Sequence, residues 1–490
     1  SCVLESAVAV VGYDGQVLAL KTGMDDITRI ISIDKEGREE VIHTPGFMKY
    51  ETLSYADATI CWVETRPDLR WSHRINSVIK LMDLKSGEID NLYHGLKLFA
   101  PALSADASRI AAVNVDSLDN YSLVVIEVGS KEIVKRVPVP GNAYPLTPVW
   151  ADEENLLTVL VTEAGKAIVK VNIACGEHEY LTKWDYEDIS QPVYHAPYIY
   201  FVAGWSGIAN IYRLNEENDS IHMISAARFG AVDPVISPDG GKLMFADYTS
   251  DGYRIVEQDI EYQKNLALEF VFNRSIALYE TLEEQEEVAP HMSEVASTDL
   301  PSKKYSKLAN LFNFHSWAPL DIDANNYEIY PGVSVMSQNL LSSSFLSMGY
   351  RYNVNEESWK VYANYSYEGW YPAIDLQVDY GTRRAEVEHQ LTDEVTWNET
   401  NLSAGLRLPL NLTRGKYYAG ITPSVYINQI IRRMRPGNVL EFKNPDITSA
   451  EYGIQLYRQI KRSLRDIYPR WGQTLKLYYY DTPFKSPGYS

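Results

Sequence analysis

Four prolines stand in register across the first half of the chain. They lie in "FAPALSADASRIAAV" from Phe99, "LTPVWADEENLLTVL" from Leu146, "SQPVYHAPYIYFVAG" from Ser190 and "VDPVISPDGGKLMFA" from Val232. Pro101, Pro148, Pro192 and Pro234 are 47, 44 and 42 residues apart. After each proline come a turn, an apolar strand, a second strand such as "LVVIEV" or "NIYRLN", and a polar turn into a third. A weaker copy without the proline begins at Glu51, and another fills residues 5–46. Repeats of this length, each with three or four strands, are the signature of propeller blades, none of which can bury its faces alone. The count is six, over residues 1–272. Residues 273–326 read as a linker, acidic at Glu283, Glu284, Glu286 and Glu287, then rich in Ser, Pro and Lys. The segment "LALEFVF", just before it, reads as the final strand of the last blade.

From residue 327 to 490 the pattern changes to long alternation. In "WKVYANYSYEGWYPAIDLQVDYG", Trp359, Val361, Ala363, Tyr365 and Tyr367 alternate with polar residues, and so do Ile374, Leu376, Val378 and Tyr380. A period of two sends successive side chains to opposite faces of a sheet. About eight such strands follow one another, near the length needed to cross a bilayer, and no second sheet or helix is evident to cover the apolar face. The expectation is an all-β chain: a six-bladed propeller, then part of an antiparallel transmembrane β-barrel. Trp359, Val361, Tyr365, Ile374, Leu376, Val378, Leu406, Leu408, Ile421 and Val425 are the expected lipid-facing residues. The opposite face, with Lys360, Asp375, Gln377, Asp379 and Arg407, suits a wet lumen.

A formal net charge of -20 disfavours nucleic acid as a partner. Three widely spaced cysteines suggest neither a zinc site nor a disulfide framework. None of the common hydrolase, zinc-protease or nucleotide-binding motifs occurs. No catalytic residue, cofactor or metal is therefore expected. "DID" at Asp321–Asp323 reads as a solvated loop, and "RRMRPGN" from Arg432 as a basic loop between strands. "RPDLRW" interrupts the second blade with charge and aromatics, which makes Arg66, Asp68, Arg70 and Trp71 candidates for partner contact. Trp62, Trp150 and Trp205 are candidates for the blade tops.

The blades, with "SPDG" at Ser237–Gly240 and "LKSG" at Leu84–Gly87, resemble the TolB-like (PD40) propeller. "YPRWGQTLKLYYYDTPF" from Tyr468 resembles the barrel pattern of the BamA superfamily, the bacterial surface antigen family. The combination is similar to large outer-membrane proteins of the Bacteroidetes group, as is "ETRPDLRWSHRINSVIKLMDL" from Glu64. That resemblance implies an outer-membrane location with the propeller in the periplasm. Lipid and envelope proteins would be the partners, and assembly, insertion or translocation of envelope components the task. Barrels of that superfamily have more strands than the eight read here and end in an aromatic strand, whereas this chain ends in "SPGYS" and starts at Ser1. The expectation is a fragment. Two alternatives stand beside it: a membrane-anchored peptidase whose catalytic domain lies upstream, and a soluble propeller-based binding protein.

Overall fold

A computed structural model describes residues 6–11, 16–49, 51–92, 95–237, 239–260, 265–275, 281–282, 285, 301, 303–323, 328–386, 394–436 and 445–483. The glutamate run and the terminal "SPGYS" lie outside these. The chain divides into two units. The first holds Ser1–Glu294 together with Thr413–Tyr417 and Ile460–Trp471, and the second holds the rest.

The first unit is a six-bladed propeller. Blade one is Ser6–Val11, Val17–Gly23, Asp26–Ile33 and Glu39–His43. Blade two is Ser54–Ala56, Thr59–Pro67, Ile75–Asp83 and Ile89–Leu92. Blade three is Lys97–Leu103, Arg109–Val115, Tyr121–Glu127 and Ile133–Pro138. Blade four runs from Tyr144–Pro145 to His178–Tyr180, and blade five from Ser190–His195 to Ile221–Met223. Among the described residues blade six has three strands: Ala231–Ile236, Lys242–Thr249 and Gly252–Asp259. Its expected closing strand is elsewhere. Leu266–Ala267 pairs with His222 and Met223 on the outer edge of blade five.

The middle strands are apolar on both faces because each face meets a different neighbour. In blade three, Ile110 and Ala112 face a core shared with Cys61, Ile79 and Leu92 of blade two. Ala111 and Val113 face a core shared with Leu156, Leu160 and Val169 of blade four. The remaining pairs of consecutive blades have cores of their own. Blades six and one close the ring through Ala246, Ala19 and Ile31, and among the described residues they share no strand.

Turn chemistry is repeated too. Asp106, Asp152 and Asp239 stand at one position, in the hairpin after the first strand, and each accepts backbone N–H bonds, such as Glu154 N at 2.8 Å and Gly241 N at 3.1 Å. This is what the aspartate of "SPDG" does.

The second unit is one antiparallel ten-stranded sheet, two strands more than the alternation suggested. Its order follows the chain: Phe314–Asp323, Glu328–Gln338, Ser344–Asn353, Ser358–Tyr367, Ala373–Glu386, Glu394–Arg407, Tyr417–Met434, Asp446–Ile460 and Gly472–Asp481. The short Leu410–Asn411 pairs beside Tyr417–Met434. The first strand falls inside the stretch read as linker. Among the described residues the two terminal strands do not pair with each other. No helix among those residues is long and apolar enough to cross a membrane, which says nothing of strands.

Candidate functional site

The sheet keeps two kinds of row apart. One row of cross-strand partners is Val335, Met348, Ala363, Val378 and Leu402. The next is Leu346, Tyr365, Leu376, Ala404 and Ile427. Along the same face Val361, Leu376, Val378, Leu402, Leu406 and Val425 are each about two-fifths exposed, and Leu477 is 54% exposed. Of the expected lipid-facing set, Trp359, Tyr365, Ile374, Leu408 and Ile421 are half-buried; Leu408 lies just past the strand end at Arg407.

The other face is charged, and its charges are paired. Lys360 meets Asp379 at 2.9 Å, and Arg407 meets Asp375 at 2.7 Å and also Glu368. Arg383 lies 2.8 Å from Glu356, and Arg432 lies 3.2 Å from Glu399. Residues of all nine longer strands line a cavity of about 1110 Å³ on this face, so the sheet curls around it. Glycines make room for tyrosines there. Gly349, Gly405 and Gly453 pair directly with Tyr362, Tyr426 and Tyr478. A Cβ on Gly405 would come within 2.0 Å of the Tyr426 ring, which lies across the glycine and donates its hydroxyl to Asp375 at 2.9 Å.

Two sequence expectations change here. Arg432 and Arg433 do not sit in a basic loop. Their strand runs to Met434, and Arg433 is paired with Asp446 at 2.6 Å. Asp321 is not a solvated loop residue either. It is 3% exposed near the end of a strand, where it accepts the Tyr362 hydroxyl.

In the propeller, "RPDLRW" closes on itself. Asp68 accepts the backbone N–H groups of Arg70 at 2.9 Å and Trp71 at 3.0 Å, which holds its carboxyl below the usual range. Arg70 is buried, with its guanidinium 4.8 Å from the Trp71 ring centre, and Arg66 is the next-to-last residue of the strand that enters the loop. The tryptophans expected at blade tops are tied into the fold: Trp62 is buried and donates to Glu64 at 3.0 Å, and Trp150 donates to Ala102 O at 3.0 Å.

The in-register prolines mark a feature that their spacing alone did not reveal. In blades three, five and six the innermost strand breaks register at the proline. The residue before it takes positive φ: Ala100 at 49°, Gln191 at 52° and Asp233 at 53°. Bulges of this kind re-aim a side chain. Ala100, Thr147, Gln191 and Asp233 line a cavity of about 280 Å³ where the inner strands converge. Asp233 N donates to Gln191 Oε1 at 2.8 Å, and Gln191 Nε2 donates back to the Asp233 carboxylate. Burial pushes the Asp233 carboxyl up to about 7; the Gln191 bond opposes the shift and the charge of Glu51 adds to it.

A second site missed in the sequence uses Ile460–Trp471, within the propeller unit. The Lys461 amine donates to Pro45 O and Gly46 O, each at 2.7 Å, and lies 5.5 Å from the Phe47 ring centre. Glu64 accepts Gly46 N at 2.8 Å. Burial brings Lys461 down to about 8, against the charges of Glu64 and Glu51.

No protein-family model and no curated protein matches the chain. Among solved structures, TolB from Acinetobacter baumannii is 15% identical, with 51% of this chain and 67% of that one covered and a TM-score of 0.35. A putative TolB from Agrobacterium tumefaciens is also 15% identical, covering 47% and 84% at a TM-score of 0.37. The propeller domain of the Trilobed protease from Pyrococcus furiosus is 10% identical, covering 54% and 98% at 0.39. Likeness at this level fixes neither chemistry nor partner. The class is defined by the structure itself: an all-β chain with a six-bladed propeller and a large antiparallel sheet.

Proposed function

We propose that the Phe314–Asp481 sheet belongs to an outer-membrane β-barrel, and that the propeller is its periplasmic docking module. The protein would then serve assembly, insertion or translocation of envelope components rather than a reaction of its own. One observation carries the membrane reading: apolar rows continuous across the strands stay exposed on one face, while the charges gather and pair on the other. A soluble chain rarely leaves so contiguous an apolar face open to water. In a bilayer the same face has hydrocarbon as its solvent, and charges toward the lumen keep water. The glycine–tyrosine pairs on the inner face suit a sheet that must curve. The docking role rests on the propeller architecture, with lipid and envelope proteins as the partners.

The test is fractionation of cells expressing the chain, followed by electrophoresis with and without boiling. The expected result is recovery in the membrane fraction through a carbonate wash, with migration that changes on heating. Recovery in the soluble fraction refutes the membrane reading.

A further inference from the structure

We infer that the cavity on the polar face of the sheet is a binding site for an uncharged oligosaccharide. Asn364, Gln377, Ser403 and Asn428 are direct cross-strand partners on four adjacent strands, and all four line the cavity. Asn364 and Gln377 are exposed, and Ser403 and Asn428 are half-buried. Among the described residues, none of these four side chains is hydrogen-bonded to another. At about 4.8 Å per strand the row is roughly 14 Å long, a span that about three linked pyranose rings cover.

The neighbouring rows explain why the ligand is uncharged. Arg407, which lines the cavity, is already neutralised by Asp375 and Glu368, and the Glu451 carboxylate in the same lining further disfavours an acidic ligand. An ionic ligand would have to displace those partners, whereas a neutral one meets amides and hydroxyls that are free to donate and accept. Two tyrosines add flat apolar surface. Tyr426 lies across Gly405, Tyr478 stands beside Gly453, and both tyrosines line the cavity. Amides in a row beside aromatic faces match the alternation of hydroxyl edges and C–H faces on a sugar ring. At about 1110 Å³ the cavity is slightly larger than the roughly 300–1,000 Å³ typical of ligand sites. The inference does not depend on what covers the apolar face, so it can fail while the membrane reading stands, and the reverse.

The experiment is saturation-transfer NMR on the full chain in phosphatidylcholine nanodiscs, or in buffer if it proves soluble. The probes are maltohexaose, cellohexaose and laminarihexaose, with a glycine–serine hexapeptide as competitor. Saturation should pass to at least one sugar. Its apparent affinity should fall about tenfold in the N364A/Q377A double variant, as expected for two lost hydrogen bonds. It should change less than twofold between 50 and 500 mM NaCl, because no charge is being screened. S403A/N428A provides the same reading if the first variant does not fold. Absence of transfer to all three sugars overturns the inference. So do unchanged affinity in the folded double variants, a steep salt dependence, or displacement of the sugar by the hexapeptide.

Discussion

Blade three and the Ala373–Glu386 strand are both rich in apolar residues, yet they use them oppositely. In the blade, adjacent side chains serve different cores: Ile110 turns to blade two and Ala111 to blade four, and both are fully buried. In the sheet, Leu376 and Val378 lie on one face and stay over 40% exposed, while Asp375 and Asp379 on either side of them are tied into ion pairs. Local sequence writes both patterns with the same residue types. The difference is the period: a run for a strand covered on both faces, alternation for one whose two faces meet different surroundings.

The sharpest way to test the first half of that contrast is Phe201→Ala. Phe201 is fully buried between blades four and five and stacks on Tyr212 with ring centres 6.0 Å apart. Loss of about 3–5 kcal/mol is expected for such a truncation, read from denaturant unfolding of the propeller. Leu402→Arg tests the second half. If the apolar face meets lipid, the charge costs about 2–4 kcal/mol at mid-depth and lowers the folded, heat-modifiable fraction. If that face is simply wet, the same change falls within about 0.5 kcal/mol and the contrast loses its meaning.

A third test is one of pH. Asp233 has its folded pKa raised to about 7, from 3.8. The folded state therefore holds a proton that the unfolded state has released. The group's contribution is complete below about pH 4 and declines as pH rises to about 7. Asp233→Asn should flatten that decline in the melting temperature and raise it at pH 8. An unchanged pH profile would mean that the bulged residue is not buried as described.

Much of the architecture was legible from spacing. Six repeats became six blades, and the alternating strands became one sheet. What stayed hidden depended on contacts distant in sequence. Leu266–Ala267 is apolar enough for any outer strand, and only the pairing with His222 and Met223 assigns it to blade five. Phe314–Asp323 alternates poorly, with Trp317 and Asp321 on opposite faces of one strand and a register break between Ala318 and Leu320, so its composition passed for linker. In "RPDLRW" the charges and rings were plain, but the Asp68 bonds that fold the loop back on itself belong to backbone geometry. Lys461 gave no signal at all, since its partners are carbonyls more than 400 positions away. The inner cavity stayed hidden as well, because a residue before proline is expected to be extended, whereas Ala100, Gln191 and Asp233 take positive φ at their bulges.

The joint between blades six and one has a mechanical side. Among the described side chains, Ala246 packs there against Ala19 and Ile31, with partly buried residues around them. Parting the two blades there would break packing between described residues, whereas parting strands within a blade would break a hydrogen-bonded ladder.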